Sequence, residues 1–478
     1  MTLSRRRFLQ WSAAVATVGA HAPVRAASAY RANLLPSEKE IWDQQLWMAK
    51  LGPKYTGNTA HTEFVEFLAT EMHKLGLEVG RERYTLPRWE AKRWELQVAA
   101  TRVPVTSYFP YSGQTPAAGV TGPVVFAGTN PTFDLSNVSG KIVLVECPTN
   151  TRHWAEEYQA WGIYPASETL PASMRPARGP VNDLTQFAKA GAIGVILAWT
   201  DISDANAADQ YSPFSRPPQG VPGLYVGRET GARLKTLAAT GATATLVLEA
   251  DIKPDTPTDT VIATLPGTSG DEVVIVNTHT DGPNATEENG ALGILSLMKY
   301  FSKIPRAERR RTIVCPMTTG HFAGPWVPSI RGFIQKYPDT IKKAVAAITV
   351  EHLGCLEWMD DASMHYRPTG KEEWAVAITP SKPMADAMRG ALDGTAAKRT
   401  ALVNPVKGGF LGEGSSLSRA GIPTIGFIPQ PNYLLAGPAD ACIDKMSSRL
   451  MHAQIEVFAK TLHAIDAMSA AELKKAVS

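Results

Sequence analysis

The chain has 478 residues, with 48 lysines and arginines against 45 aspartates and glutamates and a formal net charge of +3. That near balance, with no basic stripe, argues against nucleic acid as a partner, and the length exceeds what one hydrophobic core holds, so two or more domains are expected. The four cysteines, Cys147, Cys315, Cys355 and Cys442, are widely spaced without a C-x-x-C pair, which argues against a structural zinc knot.

The first residues read Ser4-Arg5-Arg6-Arg7-Phe8-Leu9-Gln10, followed by an apolar stretch from Trp11 to Ala20 and small residues at Ala26, Ala27 and Ala29. Paired arginines ahead of a short apolar run and small residues suited to signal peptidase predict a twin-arginine signal peptide over 1–29. The expectation is export of a folded protein, periplasmic or secreted. Removing this segment leaves 44 basic residues against 45 acidic ones. No later apolar run approaches the roughly 20 residues of a membrane span, so no stable membrane insertion is expected.

From Pro36 to Leu77 two helical patterns follow, the second over His61 to Leu75 with Phe64, Phe67, Leu68 and Met72 on one face. Trp94 to Ala100 alternates as a strand does. Between Ala117 and Ala250 the pattern changes to short β-rich units with glycine-rich turns: strands at Gly122–Ala127, Lys141–Glu146, Ala192–Ala198 and Ala242–Leu248, with a helix over Asp183–Ala190 before the third. From Thr256 strands and helices alternate, with strands at Val273–Thr278, Arg311–Met317 and Ala344–Val350 and helices at Gly290–Phe301 and Met446–Ile465. Such alternation predicts an α/β fold with a mostly parallel sheet covered by helices on both faces. In open sheets of that kind, chemistry sits at the C-terminal ends of the strands.

Three strand ends carry ionisable residues. The first strand runs into His279-Thr280-Asp281 and then Glu287-Glu288-Asn289 at a helix start. The second is followed by Thr318-Thr-Gly-His321-Phe322, and the third by Glu351-His352. Charged groups gathered in a cleft need a partner or an ion. Zinc accepts imidazole nitrogen and carboxylate oxygen and is satisfied by three protein ligands and a water.

The run Thr260-Val-Ile-Ala-Thr-Leu-Pro-Gly267, the buried strand ending in His279-Thr280-Asp281, and the later Ala420-Gly421-Ile422-Pro423 resemble the zinc aminopeptidase and glutamate carboxypeptidase family, metallopeptidase family 28. Within 117–250, "V-x-G-K-I-V-L-V", "A-x-A-G-A-I-G-V-I-L" and "V-P-G-L-Y-V" follow in the order of a protease-associated (PA) domain, a β-rich insertion found beside several exopeptidase domains. The resemblance implies an aminopeptidase-like catalytic domain made of 30–116 and 251–478, with a PA-like domain over 117–250 between them. It also implies that His279, Glu288 and Glu351 bind a metal, that Asp281 orients His279, and that His321 stands at the general-base position, with Glu287 and His352 as additional candidates.

The chain departs from that pattern where it matters. His321-Phe322 replaces a Glu-Glu pair, and no histidine occurs between His365 and His452, where the family places its last ligand. One zinc ion rather than two is therefore expected. The reading is a metal-dependent hydrolase of a peptide or small amide substrate, of aminopeptidase or carboxypeptidase type. A binding protein that kept the fold without the chemistry and a non-peptidase amide-bond enzyme are the alternatives. The aromatics Trp154, Tyr158, Trp161 and Tyr164 are candidates to overhang the cleft and favour apolar substrates.

Overall fold

Two long strands organise the chain. Glu78–Val98 and Thr243–Leu265 pair antiparallel from Glu78 opposite Thr264 to Val98 opposite Ala244. The register shifts between Leu86 and Arg88, where Pro87 has no N–H to give the ladder. One end of this ribbon belongs to each half of the molecule: Thr243–Leu246 pairs with strand Val120–Thr129, and Val261–Leu265 with strand Thr312–Thr318. The boundary expected between 250 and 251 thus falls inside one continuous strand. The structure, a computed structural model, describes residues 29–149, 151–171, 181, 183–210, 218–407 and 409–474. The twin-arginine segment lies outside them.

On one side of the ribbon, Val120–Thr129, Ile142–Cys147, Gly194–Trp199 and Gly223–Val226 lie parallel, and Ser107–Tyr108 closes the edge. These strands are apolar on both faces because both are covered. One face packs Val143, Val145 and Leu197 against Leu184 and Phe187, and the other packs Leu144, Ile196 and Leu224 against Leu234 of helix Arg228–Ala238.

On the other side, Val273–His279 runs parallel between Thr312–Thr318 and Ala344–Val350, and Thr424–Phe427 extends the parallel run. Ala375–Ile378 joins antiparallel to Thr424–Phe427 and parallel to Thr400–Pro405. The main core lies between this sheet and helices Glu38–Lys50, Thr59–Lys74, Gly290–Phe301 and Ser448–Ala467. Asn58 and Ser447 cap two of them by accepting the N–H of His61 and Leu450. The opposite face is covered by helix Ser329–Lys336, whose Ile330 and Phe333 meet Ile275 and Val314. The α/β architecture with a mostly parallel, doubly covered sheet and a β-rich insertion is therefore the one observed. Among the described residues, no helix is long and apolar enough to cross a membrane.

The insertion aromatics do not overhang the cleft. Tyr158–Tyr164 forms the edge strand of the main sheet, antiparallel to Thr400–Pro405. Trp154 and Tyr158 pack on Trp374, Val376 and Ile378, and Trp161 donates its indole N–H to the Thr379 carbonyl at 2.9 Å. A run of large apolar side chains is more favourable in that half-open edge than in water.

Candidate metal centre

The central strand Val273–His279 and its two parallel neighbours end at the same sheet edge, and the chain leaves each through a residue of the cluster. His279, Glu287, Glu351 and His352 are 2% exposed or less. The loop between strand and helix is held by Asn284, whose side-chain amide donates to the carbonyls of Tyr433, Leu434 and Ala436 and whose oxygen accepts from the N–H groups of Thr286 and Glu287. Helix Gly290–Phe301 then starts against the third strand, so closely that a Cβ on Gly290 would lie 2.0 Å from the Val350 carbonyl oxygen.

Three imidazoles converge, each anchored through Nδ1. His279 donates to the Asp281 main-chain carbonyl at 2.8 Å, His352 to the Pro429 carbonyl at 2.7 Å, and His321 to Glu413 Oε1 at 2.7 Å. A carbonyl can only accept, so Nδ1 carries the proton in His279 and His352, and Nε2 of a neutral His279 keeps its lone pair; in His352 burial lowers the pKa, but Glu287 outweighs it and raises the pKa, favouring a protonated Nε2. Burial, reinforced by the His321 ring stacked at 4.1 Å, lowers the His279 pKa to about 4 and keeps this ring neutral. His352 adopts a left-handed backbone, φ +55°, rare for a residue with a Cβ and found where surrounding structure holds it.

Two carboxylates complete the group. Glu287 Oε2 lies 3.0 Å from His352 Nε2, and Glu351 Oε2 lies 3.7 Å from His352 Nε2 and 3.9 Å from His279 Nε2. The other Glu351 oxygen accepts the Glu413 N–H at 2.9 Å. Gly412 makes this possible: its φ is +65°, and a Cβ there would stand 2.4 Å from Glu351 Oε1. Burial raises the Glu351 pKa to about 7. Burial works the same way on Glu287, but His352 and His279 outweigh it and hold that carboxyl below its ordinary value.

Among the described residues, ligand-capable atoms fall into two groups, each within 4.8 Å: His279, Glu287 and His321, and His279, Glu351 and His352. An imidazole nitrogen has one lone pair, so the shared His279 makes them one centre and not two. His279 Nε2 is buried without a hydrogen-bond partner among the described residues, whereas His352 Nε2 and Glu287 Oε2 face one another at 3.0 Å. Buried lone pairs facing one another are costly unless a proton or a cation lies between them. The donor set, nitrogen and carboxylate oxygen with each imidazole oriented from behind, fits a divalent ion of the zinc type.

Glu288, expected as a ligand, lies outside both groups. Its Oε1 is 2.7 Å from Lys54 Nζ, with both side chains fully buried, and Lys54 also donates to the carbonyls of Met48 and Gly52. The ammonium compensates the buried charge, and it is the preceding Glu287 that faces the histidines. Asp281 is likewise placed differently from the expectation. Its main-chain carbonyl orients His279, while its carboxylate accepts Thr56 Oγ1–H at 2.5 Å and the N–H groups of His321 and Phe322 at 3.2 and 3.3 Å. It therefore positions the turn that carries His321.

Sequence reasoning missed Glu413. It lies at the start of helix Gly414–Arg419, where Oε2 accepts from Ser329 Oγ at 3.0 Å and from the Ile330 N–H at 3.3 Å. Burial opposes its ionisation, but His321 and Ser329 prevail and lower its pKa to about 2. Burial would likewise lower the His321 pKa; the Glu413 hydrogen bond and charge raise it to about 9. The only signal in the chain was a glutamate flanked by two glycines just ahead of Gly421-Ile422-Pro423.

Residues 120–234 match the family model of the PA domain. No curated protein matches the chain. Among solved structures, a zinc aminopeptidase from Bacillus subtilis aligns at 18% identity over 90% of this chain and 95% of its own, with a TM-score of 0.62. A Peptidase M28 precursor from Shewanella amazonensis SB2B aligns at 16% identity over 91% and 98%, with a TM-score of 0.64. An aminopeptidase from Aneurinibacillus sp. strain AM-1 aligns at 15% identity over 89% and 93%, with a TM-score of 0.60. The chain thus has the aminopeptidase fold with an inserted PA domain, as its motifs implied.

Proposed function

We propose that the protein is a metal-dependent hydrolase of peptide or related amide bonds, built around a single ion. The observation that carries this is the convergence of three oriented imidazoles and two carboxylates around the unpartnered His279 Nε2, at the sheet edge where folds of this kind place their chemistry. The likeness to a zinc aminopeptidase supports zinc as the ion. His279, Glu287, Glu351 and His352 would hold it. A divalent ion in that set acts as a Lewis acid and lowers the pKa of a bound water.

The chain's own residues then have distinct tasks. Glu413 fixes the tautomer of His321 by taking Nδ1–H, which leaves Nε2 as the atom that holds or moves a proton. Asp281 sets the loop carrying that imidazole. Phe322, 7% exposed with Leu434 and Leu435 against it, keeps water from the flank of the site.

Metal content and kinetics test this together. The purified protein should hold close to one equivalent of zinc and hydrolyse a peptide or aminoacyl amide, and a chelator should abolish both. His321→Ala should retain the metal and lose about 10²- to 10⁴-fold in kcat. Less than about a tenth of an equivalent of zinc, with no activity on adding metal, would replace this reading with that of a non-catalytic binding protein.

A further inference from the structure

The chain that follows strand Thr424–Phe427 forms the back of the centre. The Pro429 carbonyl accepts His352 Nδ1–H, the Asn284 amide gathers the carbonyls of Tyr433, Leu434 and Ala436, and Leu434 and Leu435 pack on Phe322. Between Pro429 and Gly437 the sequence holds no His, Cys, Asp or Glu. The loop meets the centre through its main chain and through Asn284, whose side-chain oxygen accepts the N–H groups of Thr286 and Glu287 at 2.9 and 3.1 Å.

The outer side of the same loop is gripped by the PA domain. Gln210 is 1% exposed, and its side-chain amide donates to the Asn432 carbonyl at 2.7 Å and to the Asn206 carbonyl at 3.2 Å. The main chains join as well: Gln210 pairs antiparallel with Ala436, and the Gly437 N–H donates to the Asp209 carbonyl at 3.1 Å. A second tie runs through strand Leu356–Asp360, where Asp360 Oδ2 accepts the Ser203 N–H and the Asn206 amide at 3.0 and 2.9 Å and the Trp358 carbonyl accepts the Asn432 amide at 2.9 Å. A loop takes its conformation from the scaffold that satisfies its main-chain groups, and here part of that scaffold is the inserted domain.

We propose that Gln210 is a positioning residue: through the loop and Asn284 it sets the place of Glu287, and with it the hold of the centre on its ion. The PA domain is then a working part of the metal centre. Zinc as the ion rests on the hydrolase reading above, but the placement of Glu287 is measured without turnover.

Zinc affinity is measured on purified wild type and Gln210→Met by competition with a chelating dye, and hydrogen exchange of the peptide bearing Thr286 and Glu287 by mass spectrometry. Methionine keeps the length of the side chain and removes its donor. The variant should bind zinc about tenfold more weakly, the lower end of what is lost when a group supporting a metal ligand is removed. The peptide should exchange about fivefold faster, the equilibrium worth of one hydrogen bond. Thr149→Val, which deletes a hydrogen bond to Asp201 inside the PA domain, is the control and should leave both quantities at wild-type values while lowering the unfolding midpoint. Should Gln210→Met fold poorly, Gln210→Glu at pH 8 keeps the shape, turns an acceptor towards the two carbonyls and should give the same changes. Unchanged exchange, equal changes in Thr149→Val, or zinc bound with equal affinity by wild type and variant overturns the proposal. Faster exchange confined to the Gln210 variants of a protein that holds no zinc would uphold the tie to Glu287 and remove the hydrolase. Unaltered Gln210 variants of an active zinc enzyme would do the reverse.

Discussion

Glu413→Gln in the metal-free protein isolates the buried pair behind the candidate centre. The His321 pKa rises from 6.5 to about 9 in the folded chain: burial lowers it, and the Glu413 carboxylate is the largest of the raising causes, ahead of Glu287 and Glu351. A raised pKa means that folding favours the protonated imidazole, so the pair's stabilisation is fully present below pH 6.5 and is lost as pH rises through about 9. At 1.36 kcal/mol per pKa unit the displacement corresponds to about 3 kcal/mol, within the range for breaking a buried ion pair. Glutamine keeps an oxygen for Nδ1–H and removes only the charge. The assay is urea unfolding of chelator-treated wild type and variant at intervals from pH 6 to 10. Wild type should weaken steadily across that window. The variant should start about 3 kcal/mol lower at pH 6.5 and lie nearly flat, so that the curves approach one another near pH 9. Parallel curves of equal slope would refute the pairing of His321 with Glu413 as the source of the shift.

Other substitutions probe separate parts of the arrangement. His279→Ala should lower bound zinc below about a tenth of an equivalent and reduce stability with it, because metal binding to the native state is linked to folding, whereas His365→Ala, on an exposed turn, should change neither; elemental analysis with thermal unfolding decides. Gly412→Ala should cost at least about 1 kcal/mol from its φ of +65° and also reduce metal content, since the new methyl falls on Glu351 Oε1. Lys54→Met should destabilise by about 3–5 kcal/mol by leaving Glu288 buried and unpaired, and adding Glu288→Leu should recover most of that loss in denaturant unfolding. Arg5→Lys with Arg6→Lys should leave the protein in the cytoplasm; normal accumulation of the double variant outside it, followed by fractionation and immunoblotting, would remove the twin-arginine assignment.

Much of the architecture follows from local pattern. The apolar runs Val273–His279 and Ala344–Val350 are buried on both faces, and an uninterrupted apolar strand has no other stable setting than a covered parallel sheet. The helix Thr59–Lys74 puts Phe64, Leu68 and Met72 inside at helical spacing, and the strand-end rule brings His279, His321, Glu351 and His352 to one edge before any coordinate is known. What local pattern leaves open is direction. Glu287 and Glu288 are adjacent and chemically identical, and which of them faces the histidines depends on Lys54, more than two hundred residues away in sequence, drawing Glu288 into an ion pair. Glu413 becomes part of the centre only because helix Gly414–Arg419 packs beside the turn bearing His321. Periodicity encodes which residues are buried and on which element, since burial is a property of a face. Which of two buried charges meets which partner is a property of long-range packing, and only the tertiary structure decides it.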